Sequence, residues 1–353
     1  MAFLPKRFVV RLFFLLLLAL VLVHLGLWLC FDSNPSVRTV GPWEVNLVHA
    51  GCQREGPETS AVNGVILILI GDAGNRFAGD MLPRLEAYFL SRYRYPVHIF
   101  YETLPESMQV AIERAIPSAT RVEFEDVSRM WQALPRGVTE EMLEAWMNTR
   151  EQLRQKKRGY RIMCRFWAGL VWQLPSLDRY EYYWRLDDDS FLTAPLPCDV
   201  FQVMQARQCV YGYRLILKEG REVTVDIWPT FLRWAETKLS VADISEISDM
   251  FVTGNETLGK KKFRSFMYYN NFELGTIALK RHPLYRSMFR FMDEEEPHGI
   301  MRYRWGDAPV HTLGVEVVLH REGWKKCQFS PSLGGYIHTK DPRLPPLPTS
   351  RPT

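Results

Sequence analysis

Gly64-Val65-Ile66-Leu67-Ile68-Leu69-Ile70-Gly71 is an unbroken apolar run, rich in β-branched residues and closed by a glycine at each end. A strand with one wet face alternates apolar and polar residues. This run does not alternate, so it reads as a strand buried on both faces, as in a parallel sheet covered by helices. Polar residues from Asp72 to Arg76 follow as a turn. Met81, Leu82, Leu85, Tyr88 and Phe89 then recur at helical spacing and mark one apolar face. Tyr95-Pro96-Val97-His98-Ile99-Phe100-Tyr101 reads as a second strand. Together these make a β-α-β unit, with parallel strands and a right-handed crossover. In such sheets ligands bind beyond the carboxyl ends of the strands. Neither G-x-G-x-x-G nor G-x-x-x-x-G-K-[ST] occurs, which argues against a dinucleotide dehydrogenase and a P-loop kinase.

Toward the N-terminus, Leu12 to Phe31 carries no formal charge and a single His24. At ~1.5 Å per residue such a helix just spans a hydrocarbon core of ~30 Å. Lys6, Arg7 and Arg11 precede it, and Asp32, Arg38 and Glu44 follow. The positive-inside rule then leaves residues 1–11 as a cytosolic tail and places the rest across the membrane. A cleaved signal peptide is the alternative, but its apolar region runs to about 7–15 residues and ends in small residues. This run is longer and ends in Trp28-Leu29-Cys30-Phe31. The expected organisation is a transmembrane signal-anchor at 12–31, a Pro-containing stem at 32–60, a folded domain at 61–339 and a Pro-rich tail at 340–353.

The chain has 353 residues, 47% of them hydrophobic and 13% aromatic, which is ample for a packed core and excludes a disordered chain. A net charge of +4 is small for this length and gives no footing for nucleic acid as a partner. Cysteines stand at 30, 52, 164, 198, 209 and 327 with no C-x-x-C pair, so a zinc knuckle is disfavoured. With Cys30 in the anchor, five remain for an oxidising lumen, and an odd count leaves a thiol over. Asn255-Glu256-Thr257 is the one glycosylation sequon.

Further along, Thr139 reads as a helix N-cap with Val138 and Leu143 at the staple positions. That helix is expected to end near Gly159, with Lys156-Lys157-Arg158 complementing its C-terminal dipole. Pro283 should open another helix, with Leu284, Met288, Phe291 and Met292 facing inward.

Tyr180-Glu181-Tyr182-Tyr183-Trp184-Arg185-Leu186-Asp187-Asp188-Asp189-Ser190-Phe191 is the segment that carries chemistry. An aromatic strand leads into three carboxylates. Adjacent like charges repel unless they are solvated or share a cation. Alternate residues of an extended chain point the same way, so Asp187 and Asp189 share one side and Asp188 faces the other. Hard oxygen ligands suit Mg²⁺ or Mn²⁺, which can bridge a diphosphate. A solvated acidic turn is the competing reading.

Several segments in order resemble the fungal α-1,2-mannosyltransferase family, retaining enzymes that use GDP-mannose. They are Tyr160-Arg161-Ile162-Met163-Cys164-Arg165-Phe166, Tyr182-Tyr183-Trp184-Arg185, Asn270-Asn271-Phe272-Glu273-Leu274-Gly275, Arg304-Trp305-Gly306-Asp307-Ala308-Pro309-Val310-His311 and Gly335-Tyr336-Ile337-His338. The resemblance is strongest from about 158 to 338. It implies an α/β GT-A-like fold, a Rossmann-like mixed sheet flanked by helices, in a type II Golgi membrane protein with a lumenal catalytic domain.

The resemblance also implies roles. Asp187 and His338 would hold the metal, Mn²⁺ or another divalent cation. Glu273 would lie beside the anomeric carbon, either as nucleophile or as a stabilising charge. Tyr160 and Asp307 would complete the catalytic set, with Asp307 positioning the incoming hydroxyl. Arg161, Arg165, Asp189 and His311 would contact donor or acceptor. The partners would be a nucleotide sugar, a mannose-containing glycan or glycoprotein and, through the anchor, a membrane. One departure stands out: the family has Glu-Pro where this chain has Asp187-Asp188. Asp is a methylene shorter, so the metal must sit closer to the backbone or recruit Asp189. Another nucleotide sugar, or a non-catalytic lumenal glycan-binding protein, are the alternative functions.

Overall fold

The structure is a computed structural model, and it describes residues 44, 46–52, 62–71, 77–149, 158–253 and 262–338. From Asn46 onward the chain forms one compact unit. Its centre is an eight-stranded sheet. The strands are β1 (Leu47–Ala50), β2 (Gly64–Ile70), β3 (Val97–Tyr101), β4 (Val122–Asp126), β5 (Tyr182–Asp187), β7 (Cys209–Tyr213), β8 (Phe272–Thr276) and β9 (Lys325–Phe329). Two short strands, β6 (Ser190–Phe191) and β10 (Ile337–His338), pair outside this sheet. Across the sheet the order is β1-β9-β7-β8-β5-β2-β3-β4. Every neighbouring pair is parallel except those of β8, which runs against both β5 and β7.

The apolar run that opens the reading is β2, and all seven of its residues are buried. It lies between β3 and β5, both parallel to it, so neither face nor edge meets water. The connection to β3 is helical through 77–93. Phe77, Met81, Leu82, Leu85 and Phe89 pack there on Ile66, Ile68, Trp184 and Leu274, which form one core. Each such side chain contributes about 1.5–3 kcal/mol relative to exposure.

The pleat sends the alternate residues of β5 and β8 to the opposite face, where Tyr183, Arg185 and Glu273 meet the helices α3 (Ile277–Arg281), α4 (Pro283–Glu294) and α5 (Asp307–Glu322). Helix α5 is buried along Asp307 to Leu319, as expected of a helix packed on all sides.

Two expectations are corrected. Helix α1 (Glu140–Asn148) does start on Thr139, whose hydroxyl accepts the Met142 N–H at 3.2 Å. It stops at Asn148, because the hydroxyl and amide of Thr149 both donate to the Trp146 carbonyl and take the acceptor of the next rung. Gly159 belongs instead to helix α2 (Arg158–Arg165), and Arg158 pairs with Glu140 at 2.8 Å rather than capping α1. Pro283 opens α4 as read, but the buried stripe is Tyr285, Met288, Phe289 and Met292. Both sets fit the helical period, but the face turned to the core is centred on Tyr285 and Phe289, so Leu284 and Phe291 are left half-buried.

The stretch read as stem also changes. Residues 47–50 are the edge strand β1, and Cys52 is bridged to Cys198. A second bridge, Cys209 to Cys327, ties β7 to its neighbour β9 and leaves Cys164 as a buried free thiol. The anchor at 12–31, Cys30, the 72–76 turn, the sequon at Asn255 and the tail at 340–353 lie outside the described residues. Among the described residues no helix is long and apolar enough to cross a membrane.

Candidate active site

The site is built at the carboxyl end of β5, in the middle of the sheet. Asp187 is its last residue and pairs with Leu69 of β2. Asp188 turns away, and its carboxylate accepts the Gly71 N–H at 2.8 Å, tying the ends of β2 and β5 together. Burial raises its pKa to about 6. The chain then enters β6, which pairs antiparallel with β10 so that Ser190 faces His338.

That short bridge brings His338 Nδ1 to 3.0 Å from Asp189 Oδ1. Ligand atoms of Asp187, Asp189 and His338 all lie within 4.8 Å of one another. Two carboxylates and an imidazole at this spacing suit a Mn²⁺-type cation. Burial pulls the His338 pKa down, but its hydrogen bond to Asp189 and the charges of Asp189 and Asp187 outweigh that, and the net shift is upward. The cluster thus attracts positive charge.

Asn271 braces the cluster. Its Nδ2 donates to Asp187 Oδ2 at 2.8 Å and lies 2.8 Å from His338 Nδ1. The Tyr336 hydroxyl in turn donates to the Asn271 carbonyl. Beneath them Arg185, 2% exposed, spans two acids: 3.2 Å to Asp187 Oδ1 and 2.5 Å to Asp307 Oδ2. Its guanidinium stacks over Trp167 at 4.3 Å. Asp307 opens α5 and also accepts from Asn270 Nδ2 at 2.5 Å, again on Oδ2.

A second cluster lies one rung deeper on the same face. Glu273 of β8 is 1% exposed and is the cross-strand partner of Arg185. Its Oε1 accepts from the Tyr183 hydroxyl at 2.5 Å and from Lys280 Nζ at 2.9 Å. The Tyr183 ring reaches Glu273 by lying across Gly275, its own cross-strand partner. An ideal Cβ at position 275 would stand 2.7 Å from the Tyr183 oxygen. His311 Nδ1 is 3.7 Å from Glu273 Oε2, and its Nε2 is 3.0 Å from the Tyr211 hydroxyl. Burial and the neighbouring Lys280 charge hold the His311 pKa well below the usual imidazole value.

The structure therefore gathers Asp187, Asp189 and His338 in one cluster and Glu273 with His311 in another, with Arg185 between them. Tyr160 sits nearby, half-buried, with Arg304 over its ring at 5.2 Å. The charge of Cys164, burial and the charge of Asp307 raise its pKa, so it stays a neutral phenol. The two arginines of the Tyr160 segment do not turn toward these clusters. Arg161 is fully buried and donates to the Met301 carbonyl. Arg165 grips Asp293 at 2.8 Å and the Ala133 carbonyl at 2.7 Å. The contacts these heads make here are internal, because α2 packs both into the protein.

Arg185, Tyr183, Asn271 and Lys280 were not singled out from the sequence. Arg185 was within reach, since it stands two residues before Asp187 on the same face of the strand. The others depend on how β5 and β8 align, which no local pattern announces.

The model of the glycolipid 2-alpha-mannosyltransferase family matches residues 44–345. The chain belongs to this family. Glycolipid 2-alpha-mannosyltransferase 1 of Candida albicans is 31% identical over 193 residues, 53% of this chain and 43% of that protein. Mannosyltransferase KTR6 of Saccharomyces cerevisiae is 26% identical over 262 residues, 72% of this chain and 57% of that protein. The chain thus spans about half the length of these curated relatives. The X-ray structure of the mannosyltransferase Ktr4p from S. cerevisiae superposes with a TM-score of 0.68 at 19% identity, covering 86% of this chain and 82% of that one. Core-mannan synthase A from Aspergillus fumigatus, solved in a Mn/GDP form, gives 0.64 at 19% identity, covering 87% and 81%. The mixed α/β, GT-A-like fold expected for this mannosyltransferase family is therefore the fold the chain has.

Proposed function

We propose that this chain is a retaining α-mannosyltransferase that carries mannose from GDP-mannose to a mannose-terminated glycan, anchored by residues 12–31 in the Golgi membrane with its folded unit in the lumen. The observation that carries the reading is the convergence of Asp187, Asp189 and His338 beside the buried Glu273, in a chain of this family. The namesake activity of the relatives and the Mn/GDP form of core-mannan synthase A supply the donor and the cation.

In this reading Asp187, Asp189 and His338 hold the cation, and Asp189 makes up for the shorter reach of Asp187. A bound divalent cation supplies charge neutralisation to the leaving diphosphate. The rest falls to the chain. Arg185 fixes Asp187 and Asp307 relative to each other through its two ion pairs. Glu273, held inside by Tyr183 and Lys280, supports positive charge at the anomeric carbon. Among the described residues the bonds to Asp307 fall on Oδ2, and Oδ1 would position the incoming hydroxyl. Tyr160, a neutral phenol, offers the donor a hydrogen bond.

The test is transfer from GDP-mannose to mannosides by the full-length protein in detergent, with Mn²⁺ and with chelator. Asp187→Asn should abolish the metal-dependent product. Wild-type rates in that variant, or in chelator, would remove the cation assignment. A protein that binds mannose glycans yet releases GDP from no donor would remove the enzymatic reading altogether.

A further inference from the structure

We propose that Lys280 is a positioning residue for mannosyl transfer: it pins Oε1 of Glu273 so that Oε2 alone is turned to the reacting sugar. The proposal rests on the role given to Glu273 above.

The local chain path makes the contact. β8 ends at Thr276, whose hydroxyl caps α3 by accepting the Leu279 N–H at 3.2 Å. The single turn that follows lays Lys280 back against Glu273. The ammonium is 1% exposed and stands within 5.3 Å of the Trp172 ring centroid, 5.8 Å of Tyr211 and 5.0 Å of Tyr285. It also donates to the Tyr285 hydroxyl at 3.3 Å. Aromatic faces hold a desolvated cation in place. Such a site needs a carboxylate, and Glu273 Oε1 supplies it at 2.9 Å.

The two oxygens of Glu273 are treated differently. Oε1 accepts from both Lys280 and Tyr183, while Oε2 has His311 Nδ1 at 3.7 Å, beyond hydrogen-bond reach. His311 Nδ1 is buried and has no hydrogen-bond partner among the described residues. If Tyr211 donates to Nε2, the proton sits on Nδ1 and faces Oε2; the other tautomer would set a lone pair against the carboxylate. The charged and titratable groups facing this carboxylate are Tyr183, Arg185, Tyr211, Lys280, Tyr285 and His311, with Asp307 behind Arg185. Lys280 is the one cation among them bonded to it. An ion pair serving stability alone can be exchanged for apolar residues at little cost. A pair that fixes one oxygen of a reacting carboxylate cannot.

The test compares Lys280→Met, Tyr183→Phe, Glu273→Gln and the double variant Glu273→Gln/Lys280→Met in the full-length protein. Lys280→Met should lose about 100-fold in kcat, the scale of a 1 Å misplacement. Donor KM and the Mn²⁺ half-saturation should stay within about twofold of wild type, since the metal cluster is untouched. Tyr183→Phe, which removes the other donor on Oε1, should lose about tenfold in kcat. The double variant should be no slower than Glu273→Gln, because the two residues act as one unit. A folded Lys280→Met with wild-type kcat, or with its loss in KM, overturns the proposal. If Lys280→Met does not fold, the double variant decides it, and a Glu273→Gln/Lys280→Met protein slower than Glu273→Gln overturns the proposal. Glu273→Gln separates the two failures. Wild-type kcat in that variant removes the role of Glu273 itself, whereas its inactivity beside a fully active Lys280→Met removes Lys280 alone.

Discussion

Gly275→Ala is the smallest change that tests how the deeper cluster is held. The new Cβ would meet the Tyr183 oxygen at 2.7 Å and two ring carbons at 2.8 Å. Ordinary contact between such atoms begins near ~3.5 Å. The ring cannot step aside. It is fully buried, with Trp172 packed against it at 4.5 Å between centroids, and its hydroxyl is bonded to Glu273. Overpacking of this kind costs about 1–3 kcal/mol, and displacing the phenol from Glu273 forfeits about 1 kcal/mol more. Alanine returns about 0.5–1 kcal/mol by narrowing the unfolded chain. The expected loss is about 1–3 kcal/mol, read from urea melts as a fall in midpoint at constant slope. The same substitution in a Tyr183→Leu background should cost close to nothing, giving a coupling of at least ~1 kcal/mol. A loss under about 0.5 kcal/mol, or an equal loss in both backgrounds, would refute the claim that Gly275 is there to admit the Tyr183 ring.

Three further outcomes are expected. Arg185→Met leaves Asp187 and Asp307 facing each other without their shared cation and should cost about 3–5 kcal/mol; Mn²⁺ should raise the melting temperature of this variant more than that of the wild type, and an unaltered melting temperature would contradict the bridging role. Burial, then the Asp307 charge, pushes the Cys164 thiol pKa up, so alkylation followed by mass spectrometry should find Cys164 unmodified until the protein is denatured. His311 is held neutral in the fold while the unfolded histidine takes up a proton near pH 6.5. Its contribution to stability is therefore present above that pH and falls below it by about 1.4 kcal/mol per unit, and His311→Gln should flatten the slope measured by urea melts between pH 6.5 and 5.

Much of the sheet was open to reading because its evidence is local. An all-apolar run at 64–71, a helical stripe ending at Phe89 and a second strand at 95–101 are set by neighbours in sequence, and the parallel unit follows. The alternation that sends Asp187 and Asp189 one way and Asp188 the other is equally local, and the geometry agrees with it. What stayed out of reach depends on alignment between distant segments. Tyr183 meets Glu273 only because β5 and β8 pair in one register. The internal partners of Arg161 and Arg165, Met301 and Asp293, lie on segments more than a hundred residues away. The stop at Asn148 turned on one hydroxyl, that of Thr149, which competes with the helix for a carbonyl.

The two-residue bridge between β6 and β10 joins positions 148 residues apart. For a chain made from its N-terminus this sets an order of events. Seven of the eight strands of the sheet can be in hand by Thr276, and the eighth by Phe329. The third member of the cluster proposed to hold the cation arrives only with His338. A product cut short between β9 and β10 keeps every strand of the sheet, yet it is born without the proposed cation site. Good folding of the sheet is then no guide to whether the molecule can work, and the closing of a strand two residues long is the event that decides.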